Sequence, residues 1–289
     1  MQSTNFSRYF YLFLLSLIWG SSFILMKKSL VVYSYDQVAS LRLFITFIVL
    51  IPFVYPSLVK IKRKHIFPLI IASLFGSGIP AFLFTLAQTN LDSSFVGILN
   101  SLTPLFTFLI GSYVFKFKLF RANIIGVIIG LAGALFLTVS NFRGNVELNS
   151  YAYLVVCASI FYAISANIIK RYLYELDPIV ITTFIFLCIG PISGIYVFTT
   201  NFVELYNSND GVISFIYIVI LSVLCTAIAG VIFNKLIKIA SPIFATSVTY
   251  LIPVIAVFWG YLDGEDVLLK YFIGVALVFS GIYLVNKKV

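Results

Sequence analysis

Ten stretches of this chain, each about 20 residues long, are almost continuously apolar, and nearly every charge falls in the short gaps between them. They read as 9–26, 37–55, 66–87, 94–115, 122–139, 151–169, 178–199, 212–234, 242–262 and 268–285. A helix rises about 1.5 Å per residue, so each run is long enough to cross a hydrocarbon core roughly 30 Å thick. Inside lipid no water satisfies backbone N–H and C=O groups, which leaves helices and closed β-barrels as the spanning structures. Barrel strands alternate apolar and polar residues over about ten positions. These runs do not alternate and are twice that length. The expected fold class is all-α, a polytopic membrane protein with ten transmembrane helices.

Composition argues against the competing classes. Of 289 residues, 61% are hydrophobic and 10% are charged, where a soluble domain carries about 25% charged residues. The net charge of +9 resides in the gaps and forms no basic face with interleaved aromatics, so nucleic acid is not an expected partner. Cys157, Cys188 and Cys225 lie within apolar runs without a CxxC spacing, so neither a disulfide framework nor a metal site is expected. The first run ends at Met26-Lys27-Lys28 without a small-x-small site, and nine similar runs follow it. It therefore reads as a span and not as a cleaved signal peptide.

Basic residues alternate between the two sides of the membrane. Arg8, the gaps at 60–64, 116–121, 170–171 and 235–238, and Lys287-Lys288 place fourteen Lys and Arg on one side. The other side has four: Lys27, Lys28, Arg143 and Lys270. Positive charge marks the cytoplasmic side, so both termini are expected there.

The chain also repeats itself. NSLTPLFTFLIG at 100–111 lies over TYLIPVIAVFWG at 249–260, with Pro104 over Pro253 and Gly111 over Gly260 at an offset of 149. Gly126 and Gly133 lie over Gly274 and Gly281, and Tyr35-Asp36 over Leu176-Asp177. Trp19-Gly20-Ser21-Ser22 lies over Tyr162-Ala163-Ile164-Ser165. Two five-span halves follow, 1–140 and 151–289, joined by the polar linker SNFRGNVELNS. Five crossings leave the second half starting from the opposite side, so the repeats are inverted. Secondary transporters are built this way, with substrate sites near the midplane where helices are often broken.

Taken together these features resemble the drug/metabolite transporter superfamily, in particular its EamA-type ten-helix bacterial carriers. The resemblance is carried by WGSSF at 19–23, Arg42 early in the second span and the P-x6-G of the fourth and ninth spans. Gly264-Glu265 after the ninth span and the paired glycines of spans five and ten complete it. It covers essentially the whole chain, although the family's usual acidic residue after the fourth span is missing, where Lys116 and Lys118 stand instead. The resemblance implies a transporter of the bacterial cytoplasmic (inner) membrane, with no cofactor.

Few residues are candidates for chemistry. Arg42 is the one charge plainly inside a span, about five residues in from its outer end, and intramembrane charges mark function by default. It either grips an anionic group of the solute with its guanidinium fork, snorkels to the headgroups, or hydrogen-bonds a neighbouring helix. Trp19 and Ser22, with Gln88 and Asn100 opposite, are candidate cavity residues. Thr249 and Tyr250 occupy the matching place in the second half, and Tyr250 of that pair is the cavity candidate. Close helix packing is the competing reading for Trp19 and Ser22, and loop capping for Gln88. Trp259 reads as an interface anchor. Pro104 and Pro253 each remove one backbone hydrogen bond and are candidate hinges, with Asn100, Ser101 and Thr103 placed to satisfy the freed groups. Glycines of spans three and seven mark either hinges or close packing, and Gly126-x3-Gly130 either internal packing or a homodimer contact. The lone His65, in the basic loop KIKRKH, is expected to be solvated.

All ten acids lie at or beyond span ends, which fits poorly with a cationic-drug antiporter. The expected function is a carrier exporting or exchanging a small metabolite, amino-acid-like and neutral, zwitterionic or anionic, by alternating access. Its partners would be the bilayer and the solute, and it would be a monomer or a homodimer. A lipid or lipid-linked sugar flippase could use the same fold. A membrane enzyme is the remote alternative, since no nucleophile with an acid–base pair or metal ligands is apparent.

Overall fold

A computed structural model describes residues 2–91, 93–118, 120–141, 150–262 and 269–286. Among these, ten helical bodies stand where the apolar runs lie. In the first half they are α1 (Gln2–Ser29), α2 (Tyr35–Leu58), α3 (Arg63–Gln88), a split α4 (α4a, Ser93–Asn100; α4b, Thr103–Tyr113) and α5 (Arg121–Asn141). In the second half they are α6 (Ser150–Tyr172), α7 (Pro178–Phe198), α8 (Gly211–Ile239), a split α9 (α9a, Pro242–Thr246; α9b, Val248–Leu262) and α10 (Leu269–Asn286). Six of them, α1, α2, α3, α6, α7 and α8, are individually long and apolar enough to cross a membrane. The rest are the two broken helices and α5 and α10, which run 21 and 18 residues. The linker at 142–149, the Asp263, Gly264, Glu265 and Asp266 segment and Lys287-Lys288 lie outside the described residues, as does the Trp259 side chain.

Short-range chemistry sets the helix starts. The Gln37 side chain accepts the Ser34 backbone N–H at 3.0 Å at the head of α2. Ser241 accepts the Phe244 N–H at 3.1 Å at the head of α9a, and Pro178 and Pro242 occupy first-turn positions where the missing N–H costs nothing.

Packing pairs the halves as an inverted repeat requires. Helix α1 packs on α8 and α9, and its counterpart α6 packs on α3 and α4, while α2 pairs with α7 and α5 with α10. The α2–α7 pair is tied at both ends in the same way. Asp36 at the start of α2 takes the Tyr196 hydroxyl near the end of α7, and Asp177 before α7 takes Lys60 after α2 at 3.1 Å. Between those ends Gly190 and Gly194 leave room for Phe47 and Phe44, which a Cβ would meet at 2.2 and 2.4 Å. Close packing, not a bare hinge, is what these glycines supply.

The α5–α10 crossing is closer still. A Cβ on Gly281 would sit 2.4 Å from the Gly130 nitrogen, and one on Gly126 would sit 2.6 Å from the Val285 nitrogen. A Cβ on Gly130 would meet the Tyr250 ring at 2.6 Å. The Gly126-x3-Gly130 face is thus occupied within the chain.

The two prolines sit differently. Pro104 is in the first turn of α4b, just past the break at Ser101-Leu102, whereas Pro253 lies inside α9b, beyond the break at Ser247. Both free a carbonyl four residues back, and both carbonyls find a hydroxyl. Asn100 O accepts from Thr103 Oγ1 at 2.7 Å, and Thr249 O accepts from Ser101 Oγ across the repeat boundary at 3.1 Å. Ser101→Ala leaves the buried Thr249 carbonyl without that donor, and we expect a loss of roughly 1–3 kcal/mol, read as a lower midpoint of thermal unfolding in detergent. An unchanged midpoint would mean the carbonyl is otherwise satisfied.

His65 departs from expectation. It is 2% exposed, with Nδ1 accepting the Lys62 N–H at 3.2 Å and Nε2 3.6 Å from Glu175. The chain turns into α3 here and tucks the ring beneath its own first turn, so the surrounding lysines face water and the imidazole does not. Glu175 also binds Lys64 at 2.7 Å, and that hydrogen bond holds its carboxyl below the usual carboxylate range. The Lys64–Glu175 link is therefore in place near neutral pH and is lost as pH falls through the lowered carboxylate value.

Candidate functional site

The site begins with a local fault in two helices. Leu74–Gly78 in α3 and Val223–Ile228 in α8 are π-helical, and their first residues are separated by the same 149 that relates Pro104 to Pro253. A π-bulge widens the helix by one residue, loosens carbonyls from the i→i+4 ladder and often marks a functional position. Here side chains take those carbonyls up. Leu221 O accepts from Thr226 Oγ1 at 2.8 Å, Ser222 O from Thr46 Oγ1 at 3.1 Å and Cys225 O from the Trp19 indole at 3.0 Å. In the other half Ala72 O, the counterpart of Leu221 O, takes Ser165 Oγ at 3.4 Å. Gly76 is what lets Ser165 approach, since a Cβ there would lie 2.4 Å from its hydroxyl.

Between the bulges lies a cavity, and its lining comes from α1–α4 and α6–α9. Among the described residues α5 and α10 contribute nothing to it and brace the bundle from outside. Its walls mix aromatic and aliphatic side chains with hydroxyls and amides. Trp19 packs on Phe233 with ring centroids 5.3 Å apart, and Phe84 stacks on Tyr162 at 5.6 Å. Ser77, Thr182, Asn234 and Thr249 add polar groups.

Arg42 is the charged member of the described lining. Its Nε donates to Thr226 Oγ1 at 2.7 Å, so the side chain crosses from α2 to the α8 bulge. It forms a helix–helix hydrogen bond and faces the cavity at once. Neither terminal NH2 group meets an acceptor, and no carboxylate lies within ion-pair distance, among the described residues. A guanidinium so held has one N–H fixed in the protein and a planar fork left over, the geometry that matches a carboxylate or phosphate.

The other sequence candidates divide. Trp19, Ser22 and Asn100 line the same cavity as Arg42. The Ser22 hydroxyl donates to Trp19 O at 2.7 Å. The Asn100 side-chain amide lies 3.1 Å from Thr103 Oγ1, whose proton goes to Asn100 O at 2.7 Å. Gln88 stands at the end of α3, where Nε2 donates to Ser93 Oγ at 3.1 Å and ties the loop to α4a. Tyr250 is fully buried away from the cavity, its hydroxyl on Val127 O at 3.0 Å and its ring over Gly130. Thr249, one residue earlier and about 100° around the helix, is the one that faces the cavity. Thr226, Ser77, Thr182 and Asn234 were not singled out from sequence. The signal present there was a polar residue inside an apolar run, and many such residues merely back-bond to their own helix.

Comparison with known proteins agrees with this architecture. A solved crystal structure described only as that of a protein superimposes with a TM-score of 0.73 over 96% of both chains at 16% identity, which is a likeness of fold. No curated protein matches the chain. The family description of the EamA-like transporters matches twice, over residues 6–139 and again over 149–287, one match for each set of five helices. With both halves matched, this chain belongs to the EamA-like transporter family and is a multi-pass membrane transporter.

Proposed function

We propose that the chain is a secondary carrier of the inner membrane, with both termini cytoplasmic, that exchanges or exports a small amino-acid-like metabolite by alternating access. The observation that carries this reading is Arg42: a guanidinium with a free fork, in a central cavity bounded by two inverted halves. Such a charge inside a span is costly unless something pairs with it, and a passing anionic group would do so. Both bulges, and residues flanking the breaks in α4 and α9, contribute to the cavity lining. They would allow one half to rock against the other around a fixed site.

Counterflow in proteoliposomes tests the reading. Vesicles preloaded with a panel of amino acids and organic acids should accelerate entry of a labelled trace of the right class. Silence across the panel from folded protein, with exchange of a lipid-linked substrate instead, would make the protein a flippase. The hinge role is testable separately. Pro104→Ala restores an N–H that can reach Asn100 O across the break and removes two ring carbons from a buried position. Exchange is expected to fall several-fold, more than the loss of stability accounts for, and wild-type turnover would remove Pro104 from the moving parts.

A further inference from the structure

We infer that the cavity selects organic monoanions with an apolar body and disfavours the corresponding amino acids. This rests on the carrier reading above and narrows its substrate class. An amino acid presents two opposite charges about three bonds apart, and both must be taken out of water together. The described lining supplies a partner for one of them. Arg42 offers its terminal NH2 groups, which meet no acceptor among the described residues and suit a carboxylate. For the ammonium group no Asp or Glu lines the described cavity. The nearest acid along α2, Asp36, is six residues from Arg42, about 9 Å along the helix, and is engaged by the Tyr196 hydroxyl.

Two of the lining hydroxyl oxygens are already engaged as acceptors, and the remaining ones are neutral and do not balance a full charge. Thr226 Oγ1 accepts from Arg42, and Thr182 Oγ1 accepts from Asn234 Nδ2 at 2.9 Å. The Arg42 charge in the same space also repels a second cation. Burying a charge without a partner costs more than burying a neutral keto or hydroxyl group of similar size. Met26, Leu43, Phe186 and Ile252 meanwhile provide apolar wall for the body of the solute.

The test uses matched pairs that differ only at the second carbon. Proteoliposomes of the full chain are assayed for counterflow of phenylpyruvate against phenylalanine and of 4-methyl-2-oxopentanoate against leucine, with 2-phenylethylamine as the amine lacking a carboxylate and protein-free vesicles as the leak control. The oxo acids are expected to exchange at least about tenfold faster than their amino acids, which corresponds to about 1.4 kcal/mol. The amine should not exchange at all. In Arg42→Gln the oxo-acid rate should fall by at least as much. Equal rates, faster amino acids or exchange of the amine would overturn the selectivity and leave the carrier reading standing. Silence towards every compound, from protein shown to be folded, would overturn both.

Discussion

Arg42→Ala is expected to lower the exchange of anionic solutes by roughly 100-fold while the protein still folds. The size follows from what is removed. Two charge-assisted hydrogen bonds to a desolvated carboxylate, after their exchange with water, are together worth about 3 kcal/mol, and each 1.4 kcal/mol is a factor of ten. Folding should be spared because the Nε bond that disappears goes to Thr226 Oγ1, which keeps its own bond to Leu221 O. Relieving an unpaired charge in the membrane offsets part of the cost of removing that bond. Arg42→Lys sharpens the argument. An ammonium keeps the charge but has neither the fork nor the Nε bond that orients it, so the lysine variant should remain well below the wild type. Counterflow rates with unfolding temperatures measured on the same preparations check both. A lysine variant that works as well as arginine would reduce the role of Arg42 to charge alone.

The largest expected effect on stability lies elsewhere, at the α5–α10 crossing. Gly281→Val should cost about 3 kcal/mol or more, beyond the usual range for an overpacked contact, and is expected to appear as poor yield or a collapsed unfolding temperature. At this site the obstacle is backbone. A Cβ would stand 2.4 Å from the Gly130 nitrogen and 2.7 Å from the Gly126 carbonyl oxygen, and no rotamer change clears either atom. The two helices would have to move apart along their shared face. Gly97→Ala is the control, because its Cβ would meet only a side-chain methyl, Cγ2 of Ile252, at 3.3 Å and no backbone atom. It should stay within about 1 kcal/mol of the parent, the small alanine gain in helix propensity offsetting mild crowding. If both variants were equally tolerated, the close crossing would not be a determinant of stability.

These two positions differ in how far sequence could reach them. Arg42 was visible because a charge inside an apolar run is costly whatever surrounds it. The glycines of α5 and α10 were visible as a repeated pattern, but a pattern does not say which neighbour a small face receives. Internal packing, the ordinary reading, and a contact with a second copy were both open until Gly126 and Gly130 were placed against α10 and Tyr250. Tyr250 itself shows the limit of alignment by repeat. It stands over Ser101 at the offset of 149, yet one residue of helix is a turn of 100°. Thr249 took the cavity and Tyr250 the α5 packing face. His65 shows the same limit, since its basic neighbours indicated water and the turn into α3 buried it.

The helical membrane architecture, the number of spans and their inverted pairing followed from sequence alone. They depend on length, apolarity and an odd count of crossings, which are properties of the chain read one segment at a time. Which side chains share the cavity was decided only by tertiary structure. The rotation of each helix about its axis is set by packing against its neighbours, and two matched π-bulges shift that rotation by a residue at the centre of α3 and α8. No local propensity announces such a bulge. It exists because Trp19, Thr46, Thr226 and Ser165, from four different helices, stand where they can take the carbonyls it sets free.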